Sequence, residues 1–304
     1  MNVTDVIHSV ADDGRRGDVD EPAALSARLG EGSSVISFED VSKRFGRKLA
    51  VHGVHMDVKS GEFLCIVGPS GCGKSTLLNM VSGLHPVTSG IVLYNGEPVS
   101  GPNRNVGYIT QKDLLLPWRT VTANVRLPLE LRGWSRQRST ERVQQVLDMV
   151  GLTEARAAYP YQLSGGMRKR VAIARVLAYE PKVLLMDEPF GSLDAQLRLQ
   201  MHDELLRIWA HQGSTVVFVT HDLSEAITLA DRIVVMTGSP GHVTLEVPVE
   251  IDRPRRAAAI QTHPRYAAIF SQLWEAIGGQ ANSTKAPLDG SRKHPTSVID
   301  PDPS

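Results

Sequence analysis

Gly68, Pro69, Ser70, Gly71, Cys72, Gly73, Lys74 and Ser75 match the pattern G-x-x-x-x-G-K-[ST], with Thr76 directly after it. No other feature constrains the fold as tightly. Small residues at those spacings let successive backbone N–H groups wrap an anion, and the pattern works where a buried strand ends and a helix begins. Both flanks are legible. Phe63, Leu64, Cys65, Ile66 and Val67 form an apolar run of strand length, while Leu77, Met80, Val81 and Leu84 recur at helical spacing. A strand, loop and helix of this kind suit the phosphate chain of a nucleotide, with Lys74 reaching the β- and γ-phosphates and the Ser75 hydroxyl holding Mg²⁺.

The remaining apolar runs alternate with helical periodicities, which predicts an α/β fold with a largely parallel sheet. Val183 to Met186 and Thr215 to Thr220 read as two further central strands. The helix between them has an apolar face of Leu197, Met201, Leu205 and Ile208 and closes near Gly213. From about Asp113 to Ala178 strand signals vanish; Ser139 to Val150 reads as a helix with Val143, Val146, Leu147 and Val150 inward and Gly151 at its end, so this stretch is an inserted helical subdomain. Val35 to Phe38, Val54 to Val58 and Ile91 to Tyr94 alternate in the manner of a small antiparallel sheet, and Tyr266, Ile269, Phe270, Leu273, Trp274 and Ile277 fit a last amphipathic helix. Residues 1–33 and 279–304, rich in Gly, Asp, Ser and Pro, read as disordered tails.

Composition narrows the function. Lys+Arg 33 against Asp+Glu 33 leaves no net charge to attract a nucleic-acid backbone. No apolar run has the length of a membrane-spanning helix. The stretch with Asp12, Asp13, Arg15, Arg16 and Asp18 lacks the apolar core of a signal peptide, which predicts a cytoplasmic protein. Cys65 and Cys72 are the only cysteines, one in an apolar run and one in the glycine loop, so neither a disulfide framework nor a thiolate metal site is expected.

Two further motifs carry chemistry. Asp187 and Glu188 end an apolar strand, where a metal-bound nucleotide needs one carboxylate for Mg²⁺ and another to orient water. Alone, such a pair is an ordinary solvated strand end; beside a phosphate loop it reads as catalytic, with Glu188 as the base. Ser164, Gly165 and Gly166 open a helix, with Ser164 as its cap and the glycines exposing its N-terminus to an anion. The phosphate loop already supplies one anion site, so a second, with no base pocket of its own, implies contact with a nucleotide held by another copy.

With these motifs in this order, the chain from about Val35 to Val249 resembles the ABC transporter ATPases. The resemblance implies a P-loop core with a mostly parallel sheet, an N-terminal antiparallel β subdomain and an inserted helical subdomain. Its boundaries would be 34–250 for the ATPase domain, about 113–178 for the helical subdomain and 251–278 for a C-terminal helical extension. It assigns Phe45 to adenine stacking and Gln111 to a loop that senses Mg²⁺ and the membrane partner. Ser164, Gly165 and Gly166 become the signature, Asp194 part of the segment Ser192, Leu193, Asp194 that links two active sites, and His221 a γ-phosphate contact. The implied catalytic set is Glu188, His221 and Gln111, with Ser75, Gln111 and Asp187 around Mg²⁺ and ATP on the phosphate loop.

The same resemblance implies a homodimer at the cytoplasmic face of the membrane, bound to transmembrane permease subunits and served indirectly by an extracytoplasmic substrate-binding protein. No nucleic acid is expected. In detail the chain is similar to ATPases of the nitrate, sulfonate and taurine importers, which share Leu163 to Met167 and the run Leu115, Leu116, Pro117, Trp118. That run reads either as a partly exposed socket for a membrane subunit or as plain subdomain core. Met167 stands where most signatures carry Gln. Arg253 to Arg256 reads as a solvated basic linker. Two competing readings use the same phosphate loop. A soluble ABC-type machine on DNA or ribosomes would want a long heptad insertion or tandem domains, and a GTPase would want Asn-Lys-x-Asp; the sequence has none of these.

Overall fold

The computed structural model describes residues 33–191 and 193–278. The expected disordered tails, apart from Ser33, and Ser192 lie outside the described residues.

Two sheets form the framework. The first has four antiparallel strands in the order β2 (Lys48–Lys59), β1 (Ser34–Phe45), β4 (Ser89–Tyr94), β5 (Glu97–Pro98). The second has six, in the order β10 (His242–Pro248), β9 (Arg232–Thr237), β3 (Phe63–Val67), β8 (Thr215–Thr220), β7 (Val183–Asp187), β6 (Val106–Ile109). All pairs of the second sheet are parallel except β10 on β9. The first follows the alternation read in the sequence, and the second is built around the continuous apolar runs read there.

The strands β3, β7 and β8 are apolar through their middles, with Asp187 and threonines only at the ends of β7 and β8, because both faces are covered. Side chains alternate across the sheet with period two. Phe63, Cys65, Leu184, Met186, Val216 and Phe218 pack with the helices, while Leu64, Ile66, Val183, Leu185, Val217 and Val219 pack with the four-stranded sheet and helix α1 (Lys74–Val81). The molecule is thus layered, with the parallel sheet in the middle.

Helices α2 (Val121–Leu131), α3 (Arg136–Met149) and α4 (Gly165–Leu177) fill the stretch where strand signals fade. Thr120, Ser135 and Ser164 cap them, each accepting from a backbone N–H of the first turn. The Ser135 cap starts α3 before the expected Ser139. Helix α5 (Ala195–Gln212) ends at Gly213 with φ 62°, as the sequence indicates, and α6 (Leu223–Leu229) and α7 (Pro264–Gly278) complete the helical layer. Among the described residues no helix is long and apolar enough to cross a membrane.

One expectation is overturned. In the run Arg253 to Arg256, Pro254 and Arg256 are exposed, but Arg253 and Arg255 are not the solvated cations of a linker. Arg253 donates to Asp231 at 2.7 and 2.9 Å and stacks on Trp209, 4.2 Å from the ring centroid. Arg255 is buried and donates to the carbonyl oxygens of Ile251, Val249, Ala230 and Ile227, tying the segment after β10 to α6. Burial and the neighbouring Arg253 lower its pKa to about 10. A basic tetrapeptide carries no sign of this, because the acceptors are backbone groups more than twenty residues upstream as well as local ones.

Candidate nucleotide site

The register of the central sheet assembles the site. Val67 lies opposite Thr220, and Asp187 opposite Val219, so the chain leaves β3, β7 and β8 at one edge and delivers Gly68, Glu188 and His221 side by side. Gln111 joins them from the end of β6, paired to β7.

The phosphate loop has the shape its sequence predicts. Gly73 precedes α1 with φ 98°, and a Cβ there would lie 2.5 Å from Val51 Cγ2. A Cβ on Gly68 would lie 2.0 Å from the Met236 carbonyl oxygen, so both glycines are required by close approach. No side chain caps α1, which leaves its first N–H groups to an anion. Lys74 is buried and its ammonium donates to the carbonyl oxygens of Gly68 at 2.7 Å and Pro69 at 3.0 Å, which fixes the charge within the loop.

The Ser75 hydroxyl donates to Asp187 Oδ1 at 2.9 Å. Burial raises the Asp187 pKa above the usual carboxylate range; the Ser75 hydrogen bond opposes this, and Glu188 adds to it. The described residues contain no cluster of three His, Cys, Asp or Glu able to hold a metal unaided. A hydroxyl and one carboxylate fit Mg²⁺, which takes most of its octahedron from water and phosphate oxygens.

Glu188 sits where three strand ends converge. Its Oε2 is 3.3 Å from Gln111 Nε2 and its Oε1 is 3.3 Å from His221 Nδ1. Its own φ is 44°, a backbone conformation rare for a residue with a side chain, and its N–H donates to the Val219 carbonyl at 2.9 Å. A strained backbone at this residue accords with a side chain aimed by the fold.

The expected site residues therefore fall into groups. Lys74, Ser75, Gln111, Asp187, Glu188 and His221 gather at the sheet edge. Ser164 and Gly165 are exposed at the start of α4, and Asp194 caps α5 by accepting from Leu197 N at 2.9 Å. Ser164 and Asp194 make no hydrogen bond to the first group among the described residues. The expectation that both signature glycines expose the helix end holds for Gly165 alone. Gly166 is buried, and a Cβ there would lie 2.2 Å from Leu197 Cδ2, so its smallness serves the packing of α4 on α5. Phe45 is 43% exposed at the end of β1, edge-on to His85 at 5.3 Å and with Lys43 Nζ over its ring 5.0 Å from the centroid, which leaves only the remaining ring surface open.

The sequence reading missed Lys169, which is 1% exposed. Its ammonium donates to the carbonyl oxygens of Thr110 at 3.2 Å and Gln111 at 2.9 Å and lies 3.3 Å from Asp113. Burial lowers its pKa, against the pull of Asp113. It stands among Arg168 and Arg170, where a run of cations reads as a wet face; only the helix's contact with the Gln111 loop distinguishes it.

Residues 51–191 match the ABC transporter family model. A putative ATP-binding protein of Brucella abortus is 45% identical over 249 residues, covering 82% of this chain and 95% of that one. The nitrate import ATP-binding protein NrtD of Synechococcus elongatus is 44% identical over 249 residues, covering 80% of this chain and 91% of that one. The chain belongs to the ABC transporter ATP-binding proteins.

Solved structures of ABC proteins agree with the fold. The dimeric structure of a bacterial ABC transporter cassette superposes with a TM-score of 0.64 at 32% identity, covering 71% of this chain and all of that one, 100%. This ABC protein departs from the common signature at Met167, whose backbone N–H nonetheless reaches the Ser164 hydroxyl at 3.2 Å. The cap survives because it uses only the backbone of that position.

Proposed function

We propose that this ABC ATPase is the subunit that powers an importer of a small anion, two copies sandwiching two ATP molecules. The observation that carries the hydrolytic reading is Glu188, its carboxylate between Gln111 and His221 at 3.3 Å from each and one residue after the Ser75-linked Asp187. In this reading Glu188 orients a water for in-line attack on the γ-phosphate and accepts its proton. Lys74 and His221 face the developing charge, and the N–H groups of Gly68 to Ser75 hold the phosphate chain. Mg²⁺, held by Ser75 and Asp187 with Gln111 nearby, would supply further neutralisation of phosphate charge.

Phe45 offers its exposed ring to the adenine. Ser164 and Gly165 would face the nucleotide of the other copy, with Asp194 in the segment between the two sites. Support for pairing comes from the exposed, serine-capped start of α4, where Ser164 and Gly165 face outward, and from the dimeric state named for the bacterial cassette. ATP drives closure to the extent that it binds the closed pair better than the open one.

Coupling to permease subunits would run through the segment after Gln111. Leu114 and Trp118 are 61% and 72% exposed, and Pro117 is exposed between them, so this part of the run is surface. Leu115 instead packs against the main core. The chain would then sit at the cytoplasmic face, with selectivity left to the permease and an extracytoplasmic binding protein. A small anion is favoured by nitrate import relatives at 44% and 41% identity. Within that class, nitrate, an aliphatic sulfonate and taurine are alternatives that growth on each as sole nitrogen or sulfur source would separate. The neutral charge disfavours a role on DNA or ribosomes.

The decisive test is Glu188→Gln with ATP and Mg²⁺, measuring phosphate release and mass in solution. A stable ATP-loaded dimer with hydrolysis down by about 10²–10⁴ is expected. Full hydrolysis by the variant would remove Glu188 from the role of base.

A further inference from the structure

Two polar ties lie one helical turn apart on α5. Arg198 donates to the Leu193 carbonyl at 3.0 Å and, through its other terminal nitrogen, to Asp222 Oδ2 at 3.3 Å. His202 Nε2 is 2.7 Å from Glu225 Oε1, both side chains being 5% exposed. The His202 ring also packs on the buried Phe190, centroids 5.4 Å apart.

Both ties bridge the segment after Glu188 and the start of α6 after His221. Phe190 and Leu193 follow Glu188 on the way into α5, whereas Asp222 and Glu225 follow His221, Asp222 as the cap of α6. An apolar pair would fill the space without desolvating a carboxylate. We infer that Arg198 and His202 are positioning residues that hold the Glu188 loop and the His221 loop in one register, so that base and imidazole keep their spacing and the Asp194 segment cannot shift without moving His221. Neither residue is expected to touch nucleotide. The inference rests on the ATPase reading above, because it concerns the same two side chains.

Positioning predicts a split between turnover and binding. Arg198→Met removes both polar ties of a partly exposed side chain and should fold. His202→Leu leaves Glu225 buried and unpaired, so it is measured alongside His202→Gln, which retains a hydrogen-bond donor to Glu225. For Arg198→Met and His202→Leu, kcat for ATP hydrolysis should fall about tenfold to a hundredfold with KM for ATP changed less than about threefold, as expected for reacting groups displaced by a fraction of an ångström. His202→Gln should recover most of the lost kcat. If Arg198→Met turns over normally, or if kcat tracks the fraction of folded protein in every variant, the two residues are structural only and the inference is overturned. The unchanged chain is the control: absence of ATP hydrolysis there would overturn the ATPase reading as well, whereas normal hydrolysis with insensitive variants overturns the inference alone.

Discussion

Lys169 of the signature helix donates to the carbonyl oxygen of Gln111 at 2.9 Å, and the side chain of the same Gln111 lies 3.3 Å from the Glu188 carboxylate. Two residues thus connect the helix that would face a partner's nucleotide to the side chain that would activate water. The lysine end of this link is buried, so its removal is felt. Lys169→Met leaves the Thr110 and Gln111 carbonyls without their donor and should cost about 3 kcal/mol of stability. Turnover should fall about tenfold through displaced Gln111 while ATP still binds. Thermal denaturation and steady-state phosphate release check the two parts separately; unchanged turnover would show that Gln111 keeps its place without Lys169.

Arg255 and Arg265 make a contrasting pair. Arg255 is 8% exposed and donates to four carbonyl oxygens, whereas Arg265 meets Glu250 at 2.5 Å with both side chains more than half exposed, 56% and 66%. Arg255→Ala should therefore destabilise by about 3 kcal/mol, and Arg265→Ala by less than about 1 kcal/mol. Denaturant midpoints at constant m-value measure both. Equal effects would mean that the segment from Asp252 to Ala257 contributes little to cohesion.

Lys169 and Arg255 also mark where the sequence stops being legible. Apolar periodicity and loop chemistry identified the central strands, α1, α5, α7 and the phosphate loop, because each of those signals is local. Asp187 and Glu188 were readable as the end of a buried strand. Lys169 and Arg255 were not, since most of their partners are backbone carbonyls, several supplied by other elements, and a carbonyl has no letter in the sequence. Gly166 was read as an exposed signature glycine, yet it packs on Leu197, 31 positions along the chain, a contact only the fold can show. Arg198 and His202 fall between these cases: their spacing places them on one face of α5, but their tie to Asp222 and Glu225 depends on how α6 returns.

The exposed run after Gln111 predicts a loss of coupling without a loss of chemistry. Leu114→Ser with Trp118→Ser alters side chains that are already largely in water, so folding and ATP binding should be within experimental error of the unchanged chain. Transport in the reconstituted complex should fall at least about tenfold if these side chains fill a pocket of the permease. Leu115 is unsuited to this test because it packs against the core. Undiminished transport would place the docking surface elsewhere on the helical subdomain.

The buried carboxyl of Asp187 couples the site to stability. Burial raises its folded-state pKa above the value it has in the unfolded chain. Between those two values the folded chain binds more protons than the unfolded one, so stability falls as pH rises through that window, and at neutral pH the ionised carboxylate is a net cost to the nucleotide-free fold. Asp187→Asn removes the charge while keeping an acceptor oxygen for the Ser75 hydroxyl. The variant should therefore melt at a higher temperature than the unchanged chain at pH 7 without nucleotide, and the difference should shrink as the pH is lowered toward the ordinary carboxylate range. Its hydrolysis should fall by about 10²–10³, because a charge that the phosphate-bound metal needs is gone. Tm measured from pH 4 to pH 8 with and without ATP and Mg²⁺ provides the check: a lower Tm for Asp187→Asn at pH 7 would mean that the carboxylate stabilises the fold through Lys74 and Lys169 more than burial opposes it.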